Sequence, residues 1–261
     1  MFDLKVYAAG LAIALMLAAA AWVLSIGKRD VSLADRLWPL YFLGLSATYS
    51  TLAPALPERA YLLLFLVTVW AVRLSLFITL RHWGAPEDRR YQAIRADNEP
   101  GFWLKSLYMV FGLQAILAWM ISLPLLGAVL GATPLGALDF AAVTLWLIGF
   151  GFEAIGDQQL AHFKADPKSQ GKVLDTGLWR YTRHPNYFGE ACIWWGYYVF
   201  AIAAGAWWTV VGPILMTFLL LRVSGVALLE QDIGERRPAY RDYIRRTNAF
   251  FPGPPKALAE G

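Results

Sequence analysis

The sequence predicts an all-α, polytopic integral membrane protein with seven transmembrane helices. Of its 261 residues, 58% are hydrophobic and only 16% are charged, whereas a soluble domain is about 45–50% hydrophobic and about 25% charged. The hydrophobic residues form runs close to the roughly 20 residues that a helix needs to cross a bilayer. Connections rich in lysine and arginine alternate with connections that are poor in them. We therefore expect a single membrane domain over residues 1–261.

The predicted spans follow the hydrophobic runs, and a polar tail follows them over residues 230–261. The spans cover approximately residues 6–26, 37–54, 60–81, 105–130, 137–162, 187–204 and 207–229. The connections after the first, third and fifth spans, like the tail, are the basic ones. Because basic residues concentrate on the cytoplasmic side, we expect the N-terminus outside and the C-terminus in the cytoplasm. In a bacterium this is the inner membrane, with the functional polar connections facing the cytoplasm.

A polar stretch over residues 177–190 separates the fifth and sixth hydrophobic runs. Pro185 suits the first turn of a helix, so a helix should begin there with Asn186 and Glu190, four residues apart, on one face. A helix N-terminus beside cationic side chains is a favourable place for a phosphate group. An ordinary basic loop at the membrane surface would explain the arginines, but not the amide and the carboxylate that follow them. The candidate binding residues of this stretch are Trp179, Arg180, Arg183, His184, Asn186, Tyr187 and Glu190.

Charged side chains also lie inside the predicted spans, where they usually face the bundle interior or a water-filled cavity. Glu153, Asp157 and Lys164 are spaced to share one face of the fifth span, and Arg222 and Glu230 are spaced to share one face of the seventh. One interpretation is a network of buried ion pairs. The other is a deep polar pocket whose acids suit ribose hydroxyls and an amide, and whose cations suit phosphates. The number of donors and acceptors favours the pocket and a nucleotide cofactor.

Other kinds of site are disfavoured by residue spacing. The three histidines, His82, His162 and His184, have no second ligand at helical spacing, and Cys192 is the single cysteine, so we expect no metal site. No glycine-rich phosphate loop follows a strand, which excludes a soluble nucleotide-binding fold. We expect no nucleic acid and no obligatory protein partner.

Two further polar segments have two interpretations each. Residues 84–91 form either a solvated linker or a cytoplasmic flap over the pocket. Residues 236–252 form either a basic surface helix against anionic lipid or a nucleotide contact, in which Arg237 holds a phosphate and Tyr240 and Tyr243 stack on the base.

Four motifs together resemble the steroid 5-alpha-reductase-like superfamily (3-oxo-5-alpha-steroid 4-dehydrogenase C-terminal-like), and more closely its uncharacterised bacterial branch. The resemblance covers roughly residues 60–255. The motifs are residues 177–190, Glu87-Asp88-x-Arg90-Tyr91, Ser224-Gly225-Val226 with Glu230, and Arg237-Pro238-x-Tyr240-x-x-Tyr243 with Phe251-Pro252.

The resemblance implies a seven-helix membrane fold that binds NADPH in its cytoplasmic half and reduces an activated carbon–carbon double bond of a steroid-like or other lipid. By this resemblance, cofactor-binding positions fall on Glu153, Asp157, Lys164, Lys172, Asn186, Glu190, Arg222 and Glu230. In the family, a glutamate of span two and a tyrosine of span three bind the substrate carbonyl. Here Trp70 stands at the tyrosine position and span two has no glutamate. Tyr187, Tyr49 or a water held by Glu190 is then the expected proton source.

Two alternatives remain open from the sequence. The Arg183-His184-Pro185-x-Tyr187 core also resembles isoprenylcysteine carboxyl methyltransferases, which implies an S-adenosylmethionine-dependent membrane methyltransferase. NADPH would need the cations of this region together, whereas S-adenosylmethionine needs fewer. The other alternative is a non-catalytic lipid-binding or transport protein, but the paired broken helices typical of transporters are not evident.

Overall fold

The computed structural model describes residues 2–223, 225–226, 230 and 239–256. This described part of the chain is helical and contains no strand. The α-helices whose bounds are described are α1 (Leu4–Lys28), α2 (Leu33–Leu52), α3 (Glu58–Arg81), α4 (Arg89–Asn98), α5 (Phe102–Ile121), α6 (Leu123–Leu130), α7 (Ala137–Ala165), α8 (Pro185–Ala203), α9 (Trp207–Val223) and α10 (Tyr240–Arg246).

Four of these helices, α1, α3, α5 and α7, are long and apolar enough to cross a membrane, and α9 is a shorter apolar helix. The protein is therefore a membrane protein, as the composition predicts. The second predicted span is present as α2, but it does not reach the same apolar length, because Asp35 and Arg36 lie in its first turn. The count of seven spans and their orientation remain predictions.

The predicted span 105–130 is not one helix. It consists of α5, which includes a π-helical turn over Leu107–Gly112, and α6, which starts after Ser122. Pro124 lies in the first turn of α6. Because proline has no backbone N–H and its ring clashes with the preceding turn, it ends α5 and allows α6 to begin.

The described chain divides into two compact units, so the single domain stays a prediction. The first unit comprises Met1–Leu138 and Phe200–Gly212. In it, the buried Arg59 guanidinium donates to the Thr133 and Pro134 carbonyl oxygens at 3.0 Å each and to Thr133 Oγ1 at 2.9 Å. These bonds tie the start of α3 to the turn after α6, and they provide three acceptors for a fully buried cation.

The second unit comprises Asp139–Val199 and Pro213–Gly261. Its centre is the pair α7 and α8, whose backbones touch at glycines. A Cβ atom added to Gly149 would lie 2.5 Å from the Gly189 carbonyl oxygen, and one added to Gly196 would lie 3.1 Å from the Ala142 carbonyl oxygen. Glycine is required at the first of these positions, because any side chain would push the helices apart.

Candidate functional site

Buried polar side chains meet along the contact between α7 and α8. The Asn186 amide nitrogen donates to Asp157 Oδ1 at 3.2 Å. Glu153 and Asp157 are only 2% and 4% exposed, and Glu190 is also buried. A Cβ atom on Gly189 would lie 2.9 Å from the Glu153 Cβ atom, so Glu153 packs against the turn of α8 that carries Glu190. We call Glu153, Asp157, Asn186 and Glu190 the α7–α8 cluster.

The local sequence explains this arrangement. Pro185 is the first residue of α8, as predicted, so Asn186 and Glu190 lie on successive turns of one face. The Pro185 ring packs on Gly156, where an added Cβ would lie 3.0 Å from its Cγ atom. Glycine thus brings the first turn of α8 directly against the turn of α7 that carries Asp157.

The α7–α8 cluster combines three carboxyl groups with one amide. Carboxylates accept hydrogen bonds, and an amide both donates and accepts. Buried charges are costly unless they are paired or hydrogen-bonded. The cluster is therefore suited to a ligand that presents several hydroxyl or amide donors, rather than to an anion.

Beside this cluster in the sequence, Arg183 and His184 form a second buried group with Glu230. Arg183 binds the Glu230 carboxylate with two hydrogen bonds of 2.7 and 2.8 Å, and His184 Nε2 lies 2.9 Å from Glu230 Oε1. Burial alone would raise the pKa of Glu230, but the hydrogen bonds and charges of Arg183 and His184 outweigh it and lower the pKa to about 2. Burial is the largest influence on the pKa of Arg183 and lowers it, but the hydrogen bonds and charge of Glu230 together with Tyr240 and Tyr243 outweigh burial, so the pKa is raised. Both groups therefore stay ionised.

The same arginine fastens the 177–184 loop to the C-terminal tail. Its Nη1 atom donates to the carbonyl oxygens of Ile244, at 3.1 Å, and of Thr247, and its backbone N–H donates to the Asn248 carbonyl at 2.9 Å. Thr182 Oγ1 donates to the Phe250 carbonyl at 2.8 Å. We call Arg183, His184, Glu230 and these partners the loop–tail network. A direct contact of Arg183, His184 or Glu230 with a cofactor stays a prediction.

Aromatic residues extend the loop–tail network towards the α7–α8 cluster. Tyr243 donates to the Trp179 carbonyl at 2.5 Å, and Trp179 Nε1 donates to the Gly156 carbonyl at 3.0 Å. Burial is the main cause that raises the pKa of Tyr243. Tyr240 packs edge-on against Tyr243, with ring centroids 5.1 Å apart. Trp179 and Tyr243 thus link the tail to α7, one residue from Asp157.

The other predicted cations are exposed. Arg180 lines a cleft of about 400 Å³ together with Arg246 and Gly177. Arg246 pairs there with Asp175. Lys164 lines a separate cleft of about 340 Å³ after the end of α7. Lys172 and Arg222 are exposed too, so Arg222 does not share a buried face with Glu230, and Arg237 lies outside the described residues.

Tyr49 and Trp70 belong to the first unit, where both side chains are fully buried. The Tyr49 hydroxyl and Ser122 Oγ share a hydrogen bond of 2.7 Å, and Ser122 Oγ donates to the Trp119 carbonyl at 2.7 Å. Since Ser122 uses its proton on that carbonyl, Tyr49 is the donor to Ser122. Trp70 packs against Phe42 with ring centroids 5.8 Å apart.

A comparison with known protein families identifies the family. The family model described as "Protein of unknown function (DUF1295)" matches residues 21–247. The chain belongs to this family. It is similar to the "Uncharacterized protein C594.04c" of Schizosaccharomyces pombe (strain 972 / ATCC 24843), with 28% identity over 292 residues that cover 96% of this chain and 81% of that protein. No solved structure matches the chain significantly.

The DUF1295 match includes the whole α7–α8 cluster and the loop–tail network as far as Thr247. It also includes the segment 84–91, which is largely exposed to solvent but ends in the buried Tyr91; its role as a flap over the pocket stays a prediction. Arg90 Nη2 donates to Asp35 Oδ2 at 2.8 Å, and the Tyr91 hydroxyl donates to Asp35 Oδ1 at 2.7 Å. Glu87 accepts two hydrogen bonds from Arg95, at 3.0 and 2.8 Å. These bonds hold α4 against the start of α2 within the first unit.

Sequence reasoning missed two residues of this DUF1295 chain that position the candidate site. Gln159 accepts from the Leu178 backbone N–H at 3.0 Å, and Thr182 bonds the tail. A polar residue near the end of an apolar helix, as at Gln159, is a signal that was present, but the partners of Thr182 lie 67 and 68 residues away and no local pattern shows them. Among the described residues, no group of three or more His, Cys, Asp or Glu side chains could hold a metal ion.

Proposed function

We propose that this DUF1295 protein is an NADPH-dependent membrane reductase that delivers a hydride to an activated carbon–carbon double bond of a steroid-like or other lipid. The observation that carries the proposal is the α7–α8 cluster, in which three buried carboxyl groups and one amide lie on two helices whose backbones touch. The 177–190 stretch and the other motifs resemble the steroid 5-alpha-reductase-like superfamily, and this resemblance is the reason for proposing NADPH as the ligand of the cluster.

The residues present fit the dinucleotide chemically. Ribose hydroxyls and a carboxamide present several donors, and Glu153, Asp157 and Glu190 are acceptors, while Asn186 both donates and accepts. The phosphates need cations, and Lys164 in the last turn of α7 and Lys172 and Arg180 on the connection to α8 are exposed. Arg180 and Arg246 line a single cleft. Since Arg246 pairs there with Asp175, we propose Arg180 as the phosphate ligand of this cleft, because a guanidinium group can donate two parallel hydrogen bonds to a phosphate.

When bound, the nicotinamide supplies the hydride, and the side chains of the chain position the reactants and transfer the proton. We propose Tyr187 as the proton donor. Its ring stacks on the His184 ring, with centroids 5.5 Å apart and planes 7° apart, and His184 is held by Glu230. The alternative donor, Tyr49, already donates to Ser122. A hydrogen bond from Tyr187 to the substrate oxygen would stabilise the developing enolate.

The substrate is proposed to be a lipid because the chain carries four helices able to cross a membrane. We propose the full set of seven spans with the N-terminus outside, so that the cluster and the loop–tail network lie in the cytoplasmic half. A lipid would then enter sideways from the bilayer.

Ligand titration of the detergent-purified protein tests this proposal. At 100 times its dissociation constant, a ligand that binds only the folded state stabilises it by about 2.7 kcal/mol. We expect thermal stabilisation by NADPH but not by S-adenosylmethionine. Deuteride transfer from labelled NADPH to a lipid enone, detected by mass spectrometry of the product, would establish the reaction. Stabilisation by S-adenosylmethionine without stabilisation by NADPH would instead support the membrane methyltransferase and refute the reductase.

A further inference from the structure

A second cleft lies in the first unit, where α1 ends and α5 begins. It has a volume of about 340 Å³, and Ser25, Arg29, Arg95, Trp103 and Ser106 contribute to its lining. None of these residues belongs to the proposed reductase site. Because α1 and α5 are both candidate membrane spans, their adjoining ends mark the level at which the hydrocarbon core gives way to lipid headgroups.

Arg29 is the available cation of this cleft. It is exposed, and its guanidinium has no ion-pair partner among the described residues, whereas the acids nearby are occupied. Asp30 pairs with Arg36 at 3.3 Å. Glu87 pairs with Arg95 at 2.8 Å. An incoming anion would therefore meet an uncompensated positive charge at Arg29.

The backbone of Arg29 is also unusual. Its φ angle of 51° makes it the one non-glycine residue with positive φ in the described chain. Helices often end with such a left-handed residue, but glycine or asparagine normally fills the position because a larger side chain is strained there. The positive φ ends the helical path of the backbone at Arg29, and Arg29 is one of the residues that line the cleft.

One tryptophan, Trp103, lines the cleft, and it stacks on a second tryptophan, Trp22. Trp22 Nε1 donates to the Trp103 carbonyl at 2.7 Å, and the two rings stack with centroids 6.3 Å apart. Tryptophan is enriched at membrane–water interfaces, where its apolar ring and polar N–H match the headgroup region. Ser25 and Ser106 also line the cleft, but their buried hydroxyls donate to the Trp22 and Trp103 carbonyls at 2.7 and 2.9 Å, so Arg29 is left as the donor for an anion.

We propose that this cleft binds the phosphodiester headgroup of an anionic phospholipid. Arg29 donates to the phosphate oxygens, and Trp103, which is half exposed, lies against the glycerol and the first part of the acyl chains. The combination of a free guanidinium, a tryptophan side and adjoining ends of membrane helices favours a lipid over a free anion, since basic pockets at this level are typical headgroup sites. This inference does not rest on the reductase proposal.

The test compares binding of short-chain phosphatidylglycerol, phosphatidylcholine with the same chains, and inorganic phosphate to the purified full-length protein, by native mass spectrometry and thermal shift. The variant is Arg29→Asn, since asparagine tolerates a positive φ. The matched control is Lys28→Asn, which removes the same charge from the neighbouring residue, outside the cleft. We expect the wild type to bind phosphatidylglycerol selectively. Arg29→Asn should weaken this binding about tenfold, which corresponds to the loss of one charge-assisted hydrogen bond, and Lys28→Asn should leave it unchanged.

Three outcomes would overturn the proposal. Equal weakening by the two variants would mean diffuse attraction to the basic surface. Equal binding of the two lipids would mean that the cleft does not distinguish an anionic headgroup from a zwitterionic one. Stabilisation by inorganic phosphate without phosphatidylglycerol binding would mean a free-anion site. Should Arg29→Asn fail to fold, Arg29→Gly provides the same loss of charge in a residue that favours this backbone conformation.

Discussion

At the scale of single residues, Arg183 holds more structure together than any other charged residue of the loop. It neutralises Glu230 and donates to two tail carbonyls. Removing one partner of a buried ion pair leaves the other charge uncompensated. The loop–tail network is therefore expected to stabilise the second unit rather than to exchange partners during binding.

Replacing Arg183 by methionine should lower the free energy of unfolding by about 3 kcal/mol, since breaking a buried pair from one side typically costs 3–5 kcal/mol. Arg180→Met removes the same charge from an exposed neighbour and should change stability by less than about 0.5 kcal/mol. Denaturant or thermal unfolding in detergent measures both. Equal stability of the two variants would show that the buried pair contributes nothing.

Glu230 also predicts a pH dependence. Its pKa falls from 4.5 to about 2 on folding, so its stabilising contribution is complete above about pH 5 and is lost as the pH falls towards 2. After allowance for partial exposure, we expect a loss of about 2 kcal/mol across this range. The free energy of unfolding of Glu230→Gln, plotted against pH, should change less over the same range than that of the wild type. Parallel plots would show that Glu230 does not cause the pH dependence.

At the scale of elements, the contact between α7 and α8 depends on glycine. Gly149 faces the Gly189 carbonyl oxygen and the Ile193 backbone nitrogen, at 2.5 and 2.8 Å from an added Cβ, whereas Gly151, two residues along α7, faces open space. The two glycines therefore provide a matched pair for testing the contact that carries the α7–α8 cluster.

Gly149→Ala should destabilise the protein by about 2 kcal/mol, because the backbones must separate to admit the methyl group. Gly151→Ala should be neutral or stabilising by up to about 1 kcal/mol, because alanine favours the helix. Thermal unfolding in detergent compares the two. The contact is refuted if Gly149→Ala is as stable as Gly151→Ala.

The elements also show what a sequence can predict. The hydrophobic runs predicted α1, α3 and α7 to within a few residues, and Pro185 predicted the start of α8. The break after Ser122 was missed because the apolar run continues through it, although Pro124 was visible. The pairing of Glu230 with Arg183 was beyond prediction, since the two are 47 residues apart and helical spacing instead grouped Glu230 with Arg222.

For the candidate site, too, local spacing was informative and long-range pairing was not. Spacing along single helices correctly placed Glu153 with Asp157 and Asn186 with Glu190, and the clustering of polar residues correctly suggested that α7 and α8 meet. It did not distinguish buried residues from exposed ones near helix ends: Lys164 falls on the face of Asp157 by spacing but is exposed beyond the buried stretch. Such distinctions depend on the partner segments that cover each face.

At the scale of the whole molecule, the proposed seven spans predict opposite exposure for alternating connections. In a Cys192→Ala background, Lys168→Cys should react with a membrane-impermeant maleimide only from the cytoplasmic side. Leu135→Cys, between α6 and α7, should react only from outside. Labelling of intact cells and inverted vesicles measures both, and reaction of both sites from the same side would refute the topology.

The central claim is that the α7–α8 cluster binds NADPH, and the most direct test is the NADPH affinity of Asn186→Ala beside that of Gln158→Ala. Asn186 belongs to the cluster, whereas Gln158 is exposed on the same stretch of α7. At NADPH concentrations 100 times the wild-type dissociation constant, the wild type and Gln158→Ala should gain about 2.7 kcal/mol of stability, and Asn186→Ala should remain folded without this gain. NADPH binding by Asn186→Ala with wild-type affinity, or no binding by the wild type, would contradict the claim.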